Sequence, residues 1–536
     1  MTPEYLANFQ LPNRYHCIQA DEGAWWDVKF YPYLTAADDP VVFAIVATWG
    51  FSVFQAKDEP ECPVEELFAY RFDDKLRSKD SSDQAESVEL NACAWCYAQA
   101  SQPLLAVAGQ NGLIRLYDPF TGRIESSLIG HGTGTINELA THPRYPWIIA
   151  SAALDGSVRI WDIRRMHEKT EAATIIICGH NMAHKDGLLS VGWHESGRYV
   201  VSSGFDHNIC VWVMPDLHAD SDFWRSISKE QRQRSAQAVK VIHYPHFISS
   251  ALHNDYVDKV MFVKDFILSK SACSDPKRLN TIAMWSITGF DSSLEPPNDL
   301  AAPKAQEWLD TRNGFVRSTM FSIDDNTAES VSAEYQYEPL YTRHFEFQIR
   351  QTSGFYMRFG ISQPSALFPD VHHVLCMGNT KNDIFLWDLD RFIFGYGGVN
   401  SNKKGAANHP TQSAVPRKLA GQISRRESAG SSRPSSARDT PDTSIRESST
   451  AATSLTIADE VDSVRLVSPD RQVYPLDEPY KQMLPHNSLK VKAPVGAEKN
   501  APFKSLGTDW SRCGRWCVVS GFIGNHGSLA ICYRQP

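Results

Sequence analysis

Two groups of residues have the make-up of a hydrolytic triad. His131, Ser151 and Asp155 form one, and His184, Ser202 and Asp206 form the other. A histidine held between a serine and a carboxylate can take the serine proton and so create a nucleophile. Each group here also ends in a tryptophan, Trp161 and Trp212, and the arrangement recurs along the chain. A triad is recognised by one local geometry, so repetition argues against catalysis. A buried polar network that ties turns to strands accounts better for a recurring His, Ser, Asp and Trp set. No HExxH, no GxSxG and no Gly-rich loop leading from a strand into a helix occurs, which leaves zinc-protease, α/β-hydrolase and nucleotide-binding chemistry unsupported. Cys93-Ala-Trp-Cys96 has CxxC spacing but sits in a β pattern, where positions i and i+3 face opposite ways. Buried thiols are the expectation there, and no catalytic residue, metal site or cofactor is assigned.

The elements that must carry these residues are strands. Cys93 to Asp118, Gly130 to Asp162 and His184 to Trp212 share a pattern: a small-residue turn, an Asp or Asn, then alternating apolar residues. The second closes on Trp161-Asp162 and the third on Trp212. That pattern is the signature of a WD40 blade. Further units run Trp26 to Gln55, Tyr256 to Ile287, Phe355 to Asp390 and Leu506 to Tyr533. Each places one strand before a turn and two after it. The expected fold is all-β, a seven-bladed WD40 β-propeller with long loop insertions, because a lone blade cannot bury both faces. Seven blades need roughly 300 residues, so the chain of 536 must carry insertions. They are expected near 56–90, 215–255 and 289–354, with 1–25 as an N-terminal extension. Blades 1 to 6 then span 26–399 and blade 7 spans 503–536, with a Ser/Arg/Pro-rich insertion at 400–456 and a returning loop at 457–502. The 400–456 stretch lacks aromatics and reads as a disordered, solvated spacer.

A net charge of -9 gives no global drive toward nucleic acid, and sequence-specific nucleic-acid binding is not expected. The N-terminal residues do not form a secretory signal, and no run of about 18 apolar residues suggests a membrane span. Eleven cysteines without a disulfide-like framework fit an intracellular chain with reduced thiols.

The strings CAWCYAQASQPLLAVAGQNGLIRLYDP, GHGTGTINELATHPRYPWIIASAALDGSVRIWDI, HNDYVDKVMFVKDFILSKS and FYMRFGIS resemble the EED (embryonic ectoderm development) family of Polycomb WD40 proteins. The likeness runs through all seven blades, and the long loops suggest a divergent branch of a fungal kind. It implies a non-catalytic nuclear subunit of Polycomb repressive complex 2, the histone H3 lysine-27 methyltransferase. It also implies two binding surfaces. One holds a helix of the SET-domain catalytic subunit. The other, the mouth of the central channel, reads trimethyl-lysine on histone tails and so stimulates the enzyme. Other subunits of the complex are expected partners.

Trimethyl-lysine keeps its charge but has no N–H, so its receptor is a set of aromatic faces that act through cation–π attraction. The resemblance places Trp26, with Trp25 one residue away as the alternative, and Phe355 and Tyr356 in that cage. Where the family has a cage tyrosine this chain has Asn91, which lacks a π face. Asn137, Tyr256, Asp258 and Arg358 fall at mouth positions expected to contact the histone peptide, and Leu154 stands where the family has a lysine. Packing at strand starts and loop-stabilising hydrogen bonds are the plainer roles for the same residues. A second functional class remains. Trp161-Asp162-Ile163-Arg164 fits the WDxR signature of substrate receptors in cullin-RING ubiquitin ligases, although half of it is the blade signature itself.

Overall fold

The computed structural model describes residues 10–59, 63–71, 89–98, 102–164, 174–178, 183–218, 220–226, 240–272, 280–297, 311–316, 340–352, 354, 356–393, 482–494 and 501–534. They belong to one compact unit, 1–397 with 472–536. Residues 398–471, including the expected spacer at 400–456, lie outside the described residues.

The described strands form seven separate sheets, each a blade of four or five strands. Blade 1 runs outward through Trp25–Phe30, Val42–Ala47, Gly50–Ala56 and Val64–Arg71. The first strands of the next blades are Leu90–Tyr97, Ile136–Thr141, Leu188–Trp193, Val257–Val263 and Gly360–Ile361. Blade 7 begins with Phe503–Trp510. Its third strand, His526–Tyr533, pairs antiparallel with Arg14–Glu22, so residues from the N-terminal part of the chain complete the last blade. Strand Trp25–Phe30 packs against Phe503–Trp510, and the Phe30 amide donates to the Asp509 carboxylate at 2.7 Å.

Middle strands such as Ile148–Ala153 and Tyr199–Gly204 are buried along their whole length. Sheets covered on both faces have no polar side, which explains their continuous apolar runs. Seven apolar clusters follow, and each straddles one pair of neighbouring blades. Blade 2 meets blade 3 through Leu116 and Trp161, and blade 6 meets blade 7 through Leu386 and Trp510. Cys93 lies in the cluster between blades 1 and 2, whereas Cys96 lies between blades 2 and 3. Burial pushes both thiols well above the usual cysteine range.

The boundaries differ from the sequence expectation in one systematic way. The units read as three strands have four. Five of the fourth strands lie in segments set apart as extension, insertions or loop, whereas Ile124–Ile129 and Ile175–Cys178 fall in the short gaps between units. Arg14–Glu22 comes from 1–25, Val64–Arg71 from 56–90 and Tyr341–Ile349 from 289–354. Phe247–Ser249 comes from 215–255, and Asn487–Lys490 comes from 457–502. These are outer strands, and Val64–Arg71 is exposed at most positions, so no two-residue apolar rhythm marks it. Blades 3, 4 and 5 each gain a short fifth strand as well: Lys240–Ile242, Thr311–Asn313 and Gln482–Met483.

Candidate functional site

The first strands share an irregularity. In blades 1 to 5 the register with the second strand slips near the strand start, at Trp26, Asn91, Asn137, Leu189 and Asp258. Blade 7 slips between Ser505 and Thr508. Each slip is a β-bulge, which leaves a residue out of the ladder and re-aims its side chain or carbonyl. Together the bulges form a ring at one end of the first strands. Gly507 is required there, since a Cβ would lie 2.9 Å from the Trp26 carbonyl oxygen.

Tyr356 and Arg358 reach across this ring. The Tyr356 hydroxyl hydrogen bonds to the carbonyl oxygens of Asn91 (3.0 Å) and Asn137. An Arg358 Nη2 donates to the carbonyl oxygens of Asn137 and, at 3.4 Å, Leu189. Bulge carbonyls of blades 2, 3 and 4 are thus satisfied by side chains that enter blade 6. Tyr356 takes a positive φ of 71°, an uncommon backbone state for a bulky residue, so the surroundings hold it in place. Its ring lies 4.2 Å from the Arg358 guanidinium and 5.5 Å from the Trp26 ring, edge to face at 90°. Burial drives the phenol well above the ordinary tyrosine range. Trp26 is half-buried and anchored by a 3.1 Å bond from its Nε1 to the Thr48 hydroxyl. Trp25 faces the other way, into the core between blades 1 and 7 against Phe54. The one-residue ambiguity therefore resolves to Trp26 as the aromatic beside Tyr356. Phe355 lies outside the described residues.

Asn91 is the bulge residue next to Trp26 in blade order. Its Oδ1 is enclosed and has no hydrogen-bond partner among the described residues. Leu154 is 42% exposed. The remaining expected peptide contacts are largely committed within the protein. Asn137 donates its side-chain amide to the Leu188 carbonyl oxygen at 2.7 Å. Asp258 is buried against Lys270 at 2.8 Å, and burial raises its carboxyl above the usual range despite that cation. Arg358 is buried and paired with Glu138 at 3.5 Å. The placement of these three side chains corrects the picture of open peptide contacts, because a buried amide needs an internal hydrogen-bond partner and a buried charge an internal counter-charge. Tyr256 is half-buried against Phe205, with ring centroids 5.5 Å apart.

Beneath the bulge ring lies a belt of buried charge that sequence reasoning missed. Glu138 pairs with Lys259 and Arg358 and accepts from Ser190 Oγ at 2.5 Å and the Val191 amide at 3.1 Å. Burial alone would raise its carboxyl, but Lys259, Arg358 and Lys29 outweigh burial and hold it down at about 2. Asp27 pairs with Lys29 at 2.8 Å. Beyond the belt is a cavity of about 290 Å³ at the other ends of the first strands, lined by Lys29, Trp95, Trp193, Lys259 and Phe262 among others. The available signal was a charged residue inside some of the apolar first strands, as in INELAT and VDKVMFV.

The two triad-like groups have the bonding of structural tetrads. His131 Nδ1 lies 2.9 Å from Asp155, its Nε2 lies 2.7 Å from Ser151 Oγ, and Trp161 Nε1 donates to the same Oγ at 2.8 Å. His184, Asp206, Ser202 and Trp212 repeat the arrangement at 3.1, 2.8 and 2.9 Å. Each serine is fully buried, with its hydroxyl saturated by indole and imidazole. Blade 5 carries a reduced version the sequence reading passed over, His253, Ser269 and Trp285, in which His253 bonds Ser269 rather than an acid. Arg164 of the WDxR string clasps Asp162 with two bonds, at 3.0 and 2.7 Å, and lies over the Trp147 ring.

A closed ring of seven blades with tetrads tying turn to strand defines a WD40 β-propeller protein. The sequence profile of the WD domain, G-beta repeat family matches residues 122–162 and 176–213. The relatives of the chain are Polycomb WD40 proteins of the EED and esc kind. The chain is 32% identical over 384 residues to Polycomb protein EED of Chaetomium thermophilum, covering 70% of this chain and 58% of that protein. The chain therefore spans somewhat over half the length of that relative. It is 27% identical to Polycomb protein esc of Drosophila melanogaster over 67% of this chain and 68% of that one. Its fold is similar to a chain in the crystal structure of an active polycomb repressive complex 2 in the basal state. The TM-score is 0.67 at 26% identity, and 98% of each chain is covered. A chain in the Chaetomium thermophilum complex with H3K27me3 and H3K27M gives a TM-score of 0.66 at 25% identity, again with 98% of each covered. The ubiquitin-ligase reading is not favoured by these likenesses.

Proposed function

We propose that this protein is a non-catalytic scaffold and methyl-lysine reader in a Polycomb repressive complex 2-like histone H3 lysine-27 methyltransferase. It works in the nucleus, holds a helix of the SET-domain catalytic subunit, and engages other subunits of the complex. At the bulge ring it receives a methylated lysine of a histone H3 tail, trimethyl-lysine being the form the resemblance implies, and so stimulates the catalytic subunit.

The observation that carries the reader half is the Trp26–Tyr356 pair, 5.5 Å apart on the ring that bulges from the first strands. Tyr356 is locked by carbonyls of two other blades, and Trp26 keeps solvent-facing surface, so the aromatic walls are set before a ligand arrives. Preorganisation of this kind spares the ordering cost of binding. Glu138 offsets the Arg358 charge beneath Tyr356, which reduces repulsion of an incoming cation. The scaffold half is supported by likeness over almost the whole length of subunits in solved complexes of this type.

Two measurements test the proposal. Co-expression with a SET-domain methyltransferase should yield a complex stable through size-exclusion chromatography, and failure to co-elute removes the scaffold role. Titration with H3 tail peptides should show methylated lysine 27 binding more tightly than unmodified lysine, with the difference lost in Trp26→Ala. Equal affinity for both peptides removes the reader role.

A further inference from the structure

We infer that the rim of blades 5 to 7, beside the bulge ring, holds duplex DNA by its phosphates without reading its sequence. The surface is built around one turn, 379–382, which leads into the third strand of blade 6, Asp383–Asp388. The Asn382 amide donates to the Phe503 carbonyl oxygen at 3.3 Å, and the Phe503 amide donates to Asn382 Oδ1 at 2.6 Å. The Val491 amide donates to the Asn382 carbonyl oxygen at 2.7 Å. The Thr380 amide and hydroxyl both donate to the Gln351 carbonyl oxygen, at 3.0 and 2.9 Å. Each of these contacts has a cation next to it in the chain: Arg350, Lys381, Lys490, Lys492 and Lys504. All five are exposed, and none is ion-paired among the described residues. Asp383, opposite Lys490 in the ladder, accepts instead from the Asn379 side-chain amide at 3.1 Å. The connecting segment 495–500 holds Glu498 and Lys499, so it adds no net charge. Five cations therefore gather at one place on a chain whose net charge is -9. A polyanion repelled by the rest of the molecule is drawn there.

Three observations select duplex DNA among polyanions. Four of the five cations are lysines, which meet phosphates as point charges and carry no base readout. Single strands and RNA loops are held by stacking on aromatic faces, whereas the ring that borders this patch, Phe522, already lies 5.3 Å from Lys504 Nζ. The patch also sits at the mouth end of the blades. Lys504 immediately precedes the blade 7 bulge, and the Arg358 amide donates to the Leu506 carbonyl oxygen at 2.7 Å. A histone tail that enters the mouth brings nucleosomal DNA to this same end, a step that rests on the histone-tail reading of the mouth.

The test is fluorescence anisotropy of a short mixed-sequence duplex DNA, titrated with the full chain over a series of salt concentrations. Each phosphate contact adds about −0.9 to the slope of log K against log salt, so five contacts give about −4.5. Lys381→Gln with Lys504→Gln should reduce the magnitude of that slope by about 1.8, and adding Lys490→Gln and Lys492→Gln should leave about −1. Arg123→Gln with Arg144→Gln changes the net charge as much as the first pair, but at exposed positions on the other end of the strands, and should leave the slope unchanged. A fourfold lysine variant with wild-type DNA affinity and slope overturns the inference, as does an equal loss from the Arg123 and Arg144 pair. Tighter binding of single-stranded RNA or of a polyglutamate peptide than of duplex DNA overturns it too. Titration with H3 tail peptides separates this inference from the reader role. The fourfold variant should keep wild-type peptide affinity. A wild type that binds DNA through these lysines yet does not distinguish methylated from unmodified peptides removes the reader role and upholds the phosphate contact.

Discussion

Glu138 shows how one residue can set the character of the channel. It is a buried carboxylate that neutralises two buried cations, Lys259 and Arg358. Removing one member of such a group leaves charge uncompensated in a poorly solvating interior, at a cost of about 3–5 kcal/mol. Glu138→Gln should lower the thermal midpoint in calorimetry accordingly. The sign of the pH effect follows from the depressed carboxyl. With a folded value of about 2 against an ordinary 4.5, its contribution is complete above pH 4.5 and fades as pH falls toward 2. The stability gap between wild type and Glu138→Gln should therefore close over that window in acid titrations. A gap that stays constant there would contradict the assignment. Asp258 and Asp509, raised by burial, act in the opposite direction, so the comparison between the two proteins is the informative one. The tetrad serines give a second residue-scale prediction. Ser202→Ala leaves the Trp212 indole and the His184 imidazole without their shared partner, which should cost about 1–3 kcal/mol in urea unfolding.

Among the elements, strand Arg14–Glu22 carries weight out of proportion to its position. It pairs along His526–Tyr533 and covers what would otherwise be the open edge of blade 7. Deleting residues 1–22 should raise hydrogen exchange at the amides of His526–Tyr533 before it affects blade 3 or 4. Uniform exchange across all blades would count against this local role. The bulges are the second feature at this scale. Gly507 sits where a Cβ would come within 2.7 Å of Ser520 Oγ and 2.9 Å of the Trp26 carbonyl oxygen. Gly507→Ala should cost about 1–3 kcal/mol by overpacking, and it should weaken methylated-peptide binding, because the strain falls on the strand that holds Trp26.

The molecule as a whole is held by seven equivalent interfaces, each an apolar cluster shared by two neighbouring blades. No blade has a private core, so damage to one cluster removes support from two blades. Trp387 is fully buried in the cluster between blades 5 and 6, and its indole N–H donates to the Met483 carbonyl oxygen at 3.1 Å. Met483 lies just after the segment 398–471, and this bond fixes the returning chain against the ring. Trp387→Ala should cost about 3–5 kcal/mol. It should also increase protease cutting near 482–490 more than near blade 2, as followed by mass spectrometry of limited digests.

The sequence by itself determined the repeated blade and the structural nature of the His, Ser, Asp and Trp sets. Those are local patterns, written in alternating apolar residues and turn signals that act over a few neighbours. It also supplied the resemblance that named Trp26 and Tyr356. Tertiary structure decided the rest. Fourth strands such as Val64–Arg71 and Arg14–Glu22 lack a periodic signature, and their pairing depends on partners far away in the chain. The choice of Trp26 over Trp25 turned on a bulge, since one residue out of the ladder reverses which side chain faces the ring. Asp258 and Arg358 were expected as peptide contacts because the resemblance puts them at the mouth. Their partners, Lys270 and Glu138, are brought to them only by strand pairing and ring closure. The same closure brings the Tyr356 hydroxyl to the Asn91 backbone oxygen and the Tyr356 ring to the Trp26 ring.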